Sequence, residues 1–283
     1  MEKVDRKTGK RTVVSNPRGA NFLYGTIIGR ILLKLITHKV TANIVRWHFD
    51  RKWSKPRIKR TIKENNMDMS IYEDKDYQSF NEFFLRRKKN LNFDMKKDDF
   101  VSPCDSKVMV YKLSKASSFD IKGSIYSVNE IIDKDLSDYN NGYALIFRLE
   151  VTDYHHYHFI DNGTLDDYKY IKGCLHAVLP IALKKYKIFH TNSREYTTLH
   201  TENFGDVIEV DVGALNVGRI VNDKSIKKFK KGDEKGRFEF GGSTIILFVK
   251  ENKVIIDNDI LLNSTLGRET IVSCGEKIGI KVK

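Results

Sequence analysis

The sequence predicts an α+β fold in which a basic, helical N-terminal part precedes a mainly β domain. Residues 20–60 carry apolar side chains near helical spacing, whereas short β-rich runs separated by Gly, Asn and Asp begin near residue 98. The 283 residues, 40% of them hydrophobic, are enough to bury a sizeable core. We therefore expect a helical region over residues 1–95 and a mainly β domain over residues 96–283.

The N-terminal region holds the entire net charge of +13. Residues 1–60 contain 16 Lys and Arg against three acids, and the remaining residues are balanced. Trp47 and Trp53 stand among these cations, a mixture that suits an anionic lipid surface. Nucleic-acid phosphates would attract the same residues, and a helical hairpin packed on the rest of the protein would also explain the apolar spacing. No apolar run here is long enough to span a membrane, and we favour the membrane surface over nucleic acid.

A short helix is expected over residues 77–89, because Ser79 and Glu82 have the spacing of a capping box. The predicted strands that follow are Lys107–Lys112, Tyr143–Val151, Val207–Val212, Ser243–Lys250, Val254–Ile256 and Ile278–Val282. One further helix is expected near Pro180–Lys187. This order of elements predicts that the helical part leads into the β domain.

The cysteines and the N-terminus bear on the cellular compartment. Three well-separated cysteines with no CxxC pair argue against a disulfide framework or a zinc finger and favour a reducing compartment. The first 19 residues are polar and charged, so we expect no cleavable signal peptide.

Three segments carry residues that could take part in chemistry. Asp153–His158 holds three histidines in four positions, which suits general acid–base work, although strand histidines without a role would look the same. A strict strand would place His156 and His158 on one face and His155 on the other. No Cys, Asp or Glu cluster completes a zinc ligand set, so no metal is expected. Asp105 lies in a turn before a strand, where an ordinary turn aspartate is the simpler interpretation.

The third segment is Gly241-Gly242-Ser243-Thr244, which lies between two predicted strands. Because Gly242 has no Cβ, a hydroxyl at Ser243 can bend back onto the preceding carbonyl. Alone, the segment indicates a flexible turn.

Together and in this order, these elements resemble the phosphatidylserine decarboxylases, pyruvoyl-dependent enzymes made as self-processing proenzymes. The resemblance covers nearly the whole chain. Its DYHxxH motif and its Gly-Ser-Thr cleavage site are highly specific in combination, whereas Ser106 departs from the usual glycine. The matching segments are Ser79–Arg86, Ser102–Ser106, Asp153–His158, Asn192–Glu195, Phe204-Gly205, Val212–Ala214, Val217-Gly218, Lys231–Gly236 and Phe240–Thr244.

The resemblance implies a role for each candidate residue. Asp105, His158 and Ser243 would form a charge-relay set in which His158 accepts the Ser243 proton and Asp105 holds the imidazole. Ser243 would attack the carbonyl of Gly242, and cleavage there would convert Ser243 into a pyruvoyl group. This cofactor would form a Schiff base with phosphatidylserine and release CO2 to give phosphatidylethanolamine. His155 would return a proton to the α-carbon.

The resemblance also implies partners and a location. A β chain of residues 1–242 and an α chain of residues 243–283 would form a heterodimer, and further dimerisation is compatible with the family. The expected location is the cytoplasmic face of the inner membrane, peripherally bound to anionic phospholipid. Two other classes fit parts of the pattern: a serine hydrolase that keeps its chain intact, and a non-catalytic basic protein that binds lipid or nucleic acid.

Overall fold

The computed structural model describes residues 2–14, 16, 18–114, 118–121, 124–183, 186–214, 219–239 and 243–283. Its helices are α1 (Arg18–Gly25), α2 (Ile27–Ile36), α3 (Lys39–Phe49), α4 (Pro56–Glu64), α5 (Phe80–Phe84), α6 (Val128–Ile131), α7 (Pro180–Leu183), α8 (Ile188–Thr191) and α9 (Asn258–Thr265), with 3-10 turns at Lys52–Ser54 and Ser137–Tyr139.

The strands are β1 (Glu2–Asp5), β2 (Arg11–Val13), β3 (Asp99–Val101), β4 (Ser106–Lys112), β5 (Ser118–Ile121), β6 (Ser124–Ser127), β7 (Tyr143–Leu149), β8 (His156–His158), β9 (Gly163–Leu165), β10 (Lys169–Ile171), β11 (Arg194–Thr201), β12 (Gly205–Gly213), β13 (Arg219–Asn222), β14 (Lys228–Phe229), β15 (Glu234–Glu239), β16 (Ser243–Val249), β17 (Val254–Ile256), β18 (Arg268–Val272) and β19 (Lys277–Lys281). The α+β prediction is confirmed.

An 11-stranded mixed sheet forms the centre of the molecule, in the order β14-β9-β11-β12-β16-β7-β4-β18-β1-β2, with β10 paired to β11. Alternating residues of β16 point to opposite faces. Ile246 and Phe248 pack with Tyr24, Tyr126 and Phe189 beneath α1, α6 and α8. Ile245 and Leu247 pack on the other face, where the small sheets β13-β15-β8 and β17-β19-β3 cover them. β16 is therefore a central strand that is buried on both sides.

The predicted strands are confirmed to within two residues at each end, but the helix expected over residues 77–89 is shorter. It covers only Phe80–Phe84, and the predicted capping box is present, since the Ser79 hydroxyl accepts a hydrogen bond from the Glu82 amide at 3.2 Å. Beyond the helix, Glu73 and Lys89 make backbone hydrogen bonds with Arg87 and Ile71, so that this stretch pairs with residues 71–73 instead of continuing the helix. Near Pro180–Lys187 the described residues form the four-residue helix α7.

The N-terminal region is helical over residues 18–64, as predicted, but it also contributes two strands to the main sheet. β1 pairs in parallel with β18, and β2 pairs with β1. Arg6 reinforces this attachment through ion pairs with Asp257, Asp259 and Glu276. β1 and β2 are short and have no periodic apolar pattern of the kind that residues 20–60 show. The sequence therefore does not predict them. The boundary between residues 95 and 96 stays a prediction.

α1 and α2 meet at a sharp bend in which Gly29 packs on the preceding helix. A Cβ at this position would lie 2.1 Å from the carbonyl oxygen of Phe22, so that only glycine fits. No single helix within the described residues is long and apolar enough to cross a membrane, whereas Gly19–Gly25 and Ile27–Ile36 meet that test only as a pair bent by 104°.

Candidate active site

Ser243 is the first residue of β16 and lies between β12 and β7. Its Cα partners are Gly213 and Leu149, and its side chain is completely buried. The Ser243 hydroxyl has no hydrogen-bond partner among the described residues. Gly241 and Gly242 lie outside the described residues, so the scissile bond stays a sequence prediction. A buried hydroxyl without a partner is unusual in a folded protein and is a reasonable mark of a reactive position.

Asp105 lies at the same end of the main sheet as Ser243. Thr244, Arg148 and Lys107 form one row across β16, β7 and β4. β16 and β4 both run antiparallel to β7, so they are parallel to each other and begin at the same end. With strands spaced about 4.8 Å apart, the first residues of β16 and β4 are roughly 10 Å apart. Asp105 directly precedes β4.

A tight turn over Ser102–Asp105 sets the direction of the Asp105 carboxylate. Ser102 bonds the backbone of Glu276 and Gly275, and its hydroxyl donates to the Cys104 carbonyl at 2.8 Å. The Asp105 Oδ1 atom accepts a hydrogen bond from the Cys274 amide at 2.8 Å. Its Oδ2 atom pairs with Lys88 Nζ at 2.5 Å. The two partners of the Asp105 carboxylate therefore lie in the stretch that follows α5 and in the turn before β19.

His158 is the last residue of β8, and its backbone links β8 to the same turn. The His158 amide donates to the Pro103 carbonyl at 2.9 Å. In the side chain, Nδ1 lies 3.0 Å from the Gly232 carbonyl oxygen, which can only accept, so Nδ1 carries the proton. Nε2 is then the basic nitrogen, and it is buried without a hydrogen-bond partner among the described residues. Burial lowers the pKa of His158 below its usual value, so the imidazole is neutral near pH 7.

The structure therefore brings Asp105 and His158 to one corner of the sheet but joins them differently from the relay that the family resemblance implies. No hydrogen bond between Asp105 and His158 is present within the described residues, because Lys88 and the Cys274 amide occupy the Asp105 carboxylate. The Gly232 carbonyl, instead of Asp105, fixes the tautomer of His158. Whether Asp105 or the Gly232 carbonyl accepts the Nδ1 proton, Nε2 stays unprotonated and can act as a base. The part that Asp105 plays stays a prediction.

His155 precedes β8 and is fully buried against Phe84, with ring centroids 3.7 Å apart. Neither ring nitrogen has a hydrogen-bond partner among the described residues. Burial, and next the charge of Arg86, lowers the pKa of His155 well below its usual value. As expected for a strand, His156 and His158 share one face of β8, whereas Tyr157 points inward to Asn222. A neutral imidazole in such an environment can return a proton to a bound substrate only after it has taken one up, since the imidazolium and not the neutral ring is the acid.

Several residues that position these histidines were missed in the sequence. Arg86 is 1% exposed, and its guanidinium donates to the carbonyls of Thr152 and Asp153 at 2.5 and 2.9 Å, directly before His155. His156 joins Glu234 Oε1 at 2.8 Å and the Leu85 carbonyl at 3.1 Å. Arg86 and Glu234 lie in the segments that resemble the family, which was the only available signal. Lys88 carried no signal beyond its basic neighbours.

The residues present fit a group derived from Ser243. The buried polar atoms without a hydrogen-bond partner among the described residues include Ser243 Oγ, Ser106 Oγ, His158 Nε2 and both nitrogens of His155. Such atoms cost free energy unless they meet a partner during function, at roughly 1–3 kcal/mol each. Within the part of the chain that the structure describes, no group of three His, Cys, Asp or Glu side chains could hold a metal ion.

Comparison with known proteins places the chain among the carboxy-lyases. A family model described as "Phosphatidylserine decarboxylase" matches residues 80–280. The chain belongs to the phosphatidylserine decarboxylase family.

Curated relatives extend this similarity over nearly the whole chain. "Phosphatidylserine decarboxylase proenzyme 2" of Clostridium acetobutylicum is 50% identical over 91% of this chain and 90% of its own length. "Phosphatidylserine decarboxylase proenzyme" of Clostridium botulinum is 43% identical over 98% of both chains. The proenzyme of Desulfitobacterium hafniense is 38% identical over 99% of this chain and 98% of its own.

Proposed function

We propose that the chain is a proenzyme that cleaves itself between Gly242 and Ser243 and then decarboxylates phosphatidylserine to phosphatidylethanolamine. The observation that carries this proposal is the buried hydroxyl of Ser243, which begins a central strand and has no hydrogen-bond partner among the described residues, in a chain of this family. Burial of the hydroxyl excludes water, which favours attack on the preceding peptide over hydrolysis.

The first step is an N-to-O acyl shift. His158 Nε2 accepts the proton of Ser243 Oγ, and the oxygen attacks the carbonyl carbon of Gly242, so that the peptide bond is replaced by an ester. His158 is suited to this step because it is neutral and its tautomer is fixed by the Gly232 carbonyl. Elimination then breaks the Cβ–Oγ bond, releases the Gly242 carboxylate and leaves dehydroalanine at position 243. Addition of water and loss of ammonia yield the pyruvoyl group.

In the second reaction the pyruvoyl group supplies an electrophilic carbonyl that captures the substrate amine and accepts the electron pair left when CO2 departs. The protein's own residues exclude water and supply a proton. His155, which is buried, neutral and without a hydrogen-bond partner among the described residues, is the proposed donor to the α-carbon once it has taken up a proton. Arg86 holds the loop that places this ring.

The two products are expected to stay associated after cleavage. β16 of the α chain lies between β12 and β7 of the β chain, and β18 lies between β4 and β1. Arg148 and Glu269 form a buried ion pair across the same boundary. The heterodimer of residues 1–242 and 243–283 is thus a single folded unit. Further dimerisation stays a prediction.

The N-terminal helices are proposed to bind the anionic membrane that contains the substrate. α2 buries only Gly29 and Leu33, while Ile27 and Leu35 are 71% and 65% exposed. Further exposed apolar side chains lie on α2 itself, on α1 and α3, and in the turn that follows α3: Phe22, Ile28, Ile31, Leu32, Val40, Ile44, Trp47 and Trp53. Each Lys or Arg near an anionic surface adds about 1 kcal/mol. We propose in addition that this binding places the protein peripherally on the cytoplasmic face of the inner membrane.

Mass spectrometry of the purified protein tests the proposed processing. We expect fragments of residues 1–242 and 243–283, the second with a pyruvoyl terminus, and phosphatidylserine-dependent release of CO2. Ser243→Ala should leave an intact, inactive chain, and His158→Ala and Asp105→Asn should slow cleavage. An intact, active wild-type chain that a fluorophosphonate labels at Ser243 would instead identify a serine hydrolase.

Liposome co-sedimentation tests the membrane proposal separately. Binding should rise with phosphatidylserine content and fall with salt, because exposed charges are screened. Ile31→Glu should weaken binding. Leu262→Glu on α9 is a matched control, because Leu262 and Ile31 are similarly exposed, at 61% and 63%. Equal binding of both variants, or binding to neutral liposomes as strong as to anionic ones, would contradict the proposal.

A further inference from the structure

A completely buried group of charges lies between the layer that carries His158 and the layer that carries Ser243. Lys235 of β15 and Glu209 and Asp211 of β12 each have no exposed surface. Lys235 Nζ lies 2.8 Å from Asp211 Oδ2 and 3.1 Å from Glu209 Oε1. Placing an isolated charge in such an environment costs several kcal/mol, so this group must be matched closely to persist.

Backbone pairing connects the buried charge group to both layers. Asp211 pairs with Ile245, two residues after Ser243 on β16. Because cross-strand partners and alternate residues share a face, the carboxylates lie on the same face of the main sheet as Ser243. On the other side, Glu234 of β15 pairs with His158 of β8. Lys235 is therefore adjacent in sequence to the residue opposite the proposed base.

An irregularity in β15 directs Lys235 inward. The register of β15 against β8 shifts between Glu234 and Gly236, which makes Lys235 the extra residue of a β-bulge. Bulges re-aim side chains. Glu234 consequently contacts His156, whereas Lys235 contacts Glu209 and Asp211 of the main sheet. A Cβ on Gly236 would lie 2.8 Å from Asn222 Oδ1 and Tyr157 Oη, so glycine is required beside the bulge.

Neutral partners complete only part of the group. Asn222 donates to Asp211 Oδ2 and to Glu195 Oε2, both at 2.8 Å, and accepts from the Tyr157 hydroxyl at 2.9 Å. Lys224, which is mostly exposed, pairs with Glu195 at 2.8 Å. Within the described residues, both carboxyl oxygens of Glu209 and the Oδ1 atom of Asp211 have no hydrogen-bond partner.

The charges balance only in one protonation state. With Glu195 matched by Lys224, one ammonium faces the two carboxyl groups of Glu209 and Asp211. The other titratable groups that face them are the hydroxyls of Tyr157 and Tyr168. Burial raises the pKa of Glu209 to about 8, while the carboxylates, against the effect of burial, raise that of Lys235. A protonated Glu209 leaves Lys235 and Asp211 as a matched pair.

We infer that Lys235 is a positioning residue for self-cleavage, because its ion pairs fix β8 and β15, which carry His158, onto β12 and β16, which carries Ser243. The inference rests on the proposed self-processing at Ser243. When Glu209 ionises, two carboxylates compete for one ammonium, and the attachment of β15 to β12 weakens. A displacement of about 1 Å between base and nucleophile can slow such a step roughly 100-fold.

The first experiment follows cleavage of freshly synthesised full-length precursor in a cell-free translation system, with the 243–283 fragment quantified by mass spectrometry. Lys235→Met removes the charge at similar volume and should slow cleavage by about tenfold or more. Lys228→Met is the matched control, because Lys228 is exposed and lies outside the buried charge group, so its loss should leave the rate unchanged. Lys235→Met that folds, as judged by circular dichroism, and is cleaved at the wild-type rate would overturn the inference.

The second experiment uses the pH dependence, which a merely structural role would not alter. Glu209→Gln mimics the protonated carboxyl group, so it should be cleaved like the wild type near pH 7. Above about pH 8 the wild-type rate should fall several-fold as Glu209 ionises, whereas Glu209→Gln should keep its rate. Identical profiles would refute the inference even if Lys235→Met does not fold. Failure of the wild type to cleave at all would instead refute the proposed function.

Discussion

The ion pair between Arg148 and Glu269 should hold the two cleavage products together. Arg148 Nε and Nη2 donate to the two carboxylate oxygens of Glu269 at 2.7 and 2.6 Å, and both side chains are at most 4% exposed. Arg148 belongs to β7 in residues 1–242, and Glu269 belongs to β18 in residues 243–283. Arg148→Met would leave the Glu269 carboxylate buried without its bidentate partner.

The expected cost is about 3–5 kcal/mol of the free energy of unfolding, the range for breaking a buried pair by removing one partner. With a urea dependence of roughly 3 kcal/mol per M, the midpoint should fall by about 1–2 M. Urea titration of the processed protein measures this, with fluorescence for unfolding and gel filtration for release of the 243–283 fragment.

Two further variants make the measurement specific. Arg148→Met with Glu269→Met should recover most of the loss, because it removes both charges of the pair, while Glu150, which also contacts Arg148, keeps Lys3 and Lys107. Arg268→Met breaks an exposed pair with Glu2 across the same boundary and should cost less than about 1 kcal/mol. The reasoning is refuted if Arg148→Met is no less stable than Arg268→Met, or if the double variant is as unstable as Arg148→Met alone.

Three other outcomes are expected. His155→Ala should spare cleavage, as seen by mass spectrometry, but lower the rate of CO2 release roughly 10²–10⁴-fold; equal loss of both would remove its proposed role. Arg86→Met should lower the unfolding free energy by about 2–4 kcal/mol in urea titration, because it strands the Thr152 and Asp153 carbonyls; an unchanged midpoint would contradict this. Although burial opposes it, His156 and Arg87 lower the pKa of Glu234 to about 2, so its stabilisation is present above about pH 4.5 and lost as the pH falls towards 2. Glu234→Gln should therefore flatten the acid side of a thermal-melting profile; an unchanged profile would count against this linkage.

Much of the fold could be predicted because local patterns report burial. Strands such as β7 and β16 are continuous apolar runs, since both faces of a central strand are covered. The capping box at Ser79 could also be predicted, because it depends on residues only three positions apart in the sequence. β1 and β11 were missed, because polar residues occupy strand positions whose partners are distant in sequence. Glu195 of β11, for example, is buried only because Asn222 meets it.

The candidate site was likewise only partly predictable from the sequence. The types and order of Asp105, His155, His158 and Ser243 were evident from the sequence, because this chemistry requires a base, a nucleophile and small residues in a recognisable series. The contacts that these groups make were not evident from the sequence. Lys88 binds Asp105, the Gly232 carbonyl holds His158, and Arg86 supports the loop before His155.

The sequence by itself thus determined the family, the chemistry and the residue that is expected to become the cofactor, since these depend on which residues are present and in what order. The tertiary structure alone decided which hydroxyl and imidazole atoms have no partner among the residues that it describes, and which buried charges join the two layers of the site. These properties depend on strand register and on a single bulge at Lys235, which bring together residues far apart in the chain. No local pattern encodes such distances, because burial and pairing emerge only when the whole sheet has formed.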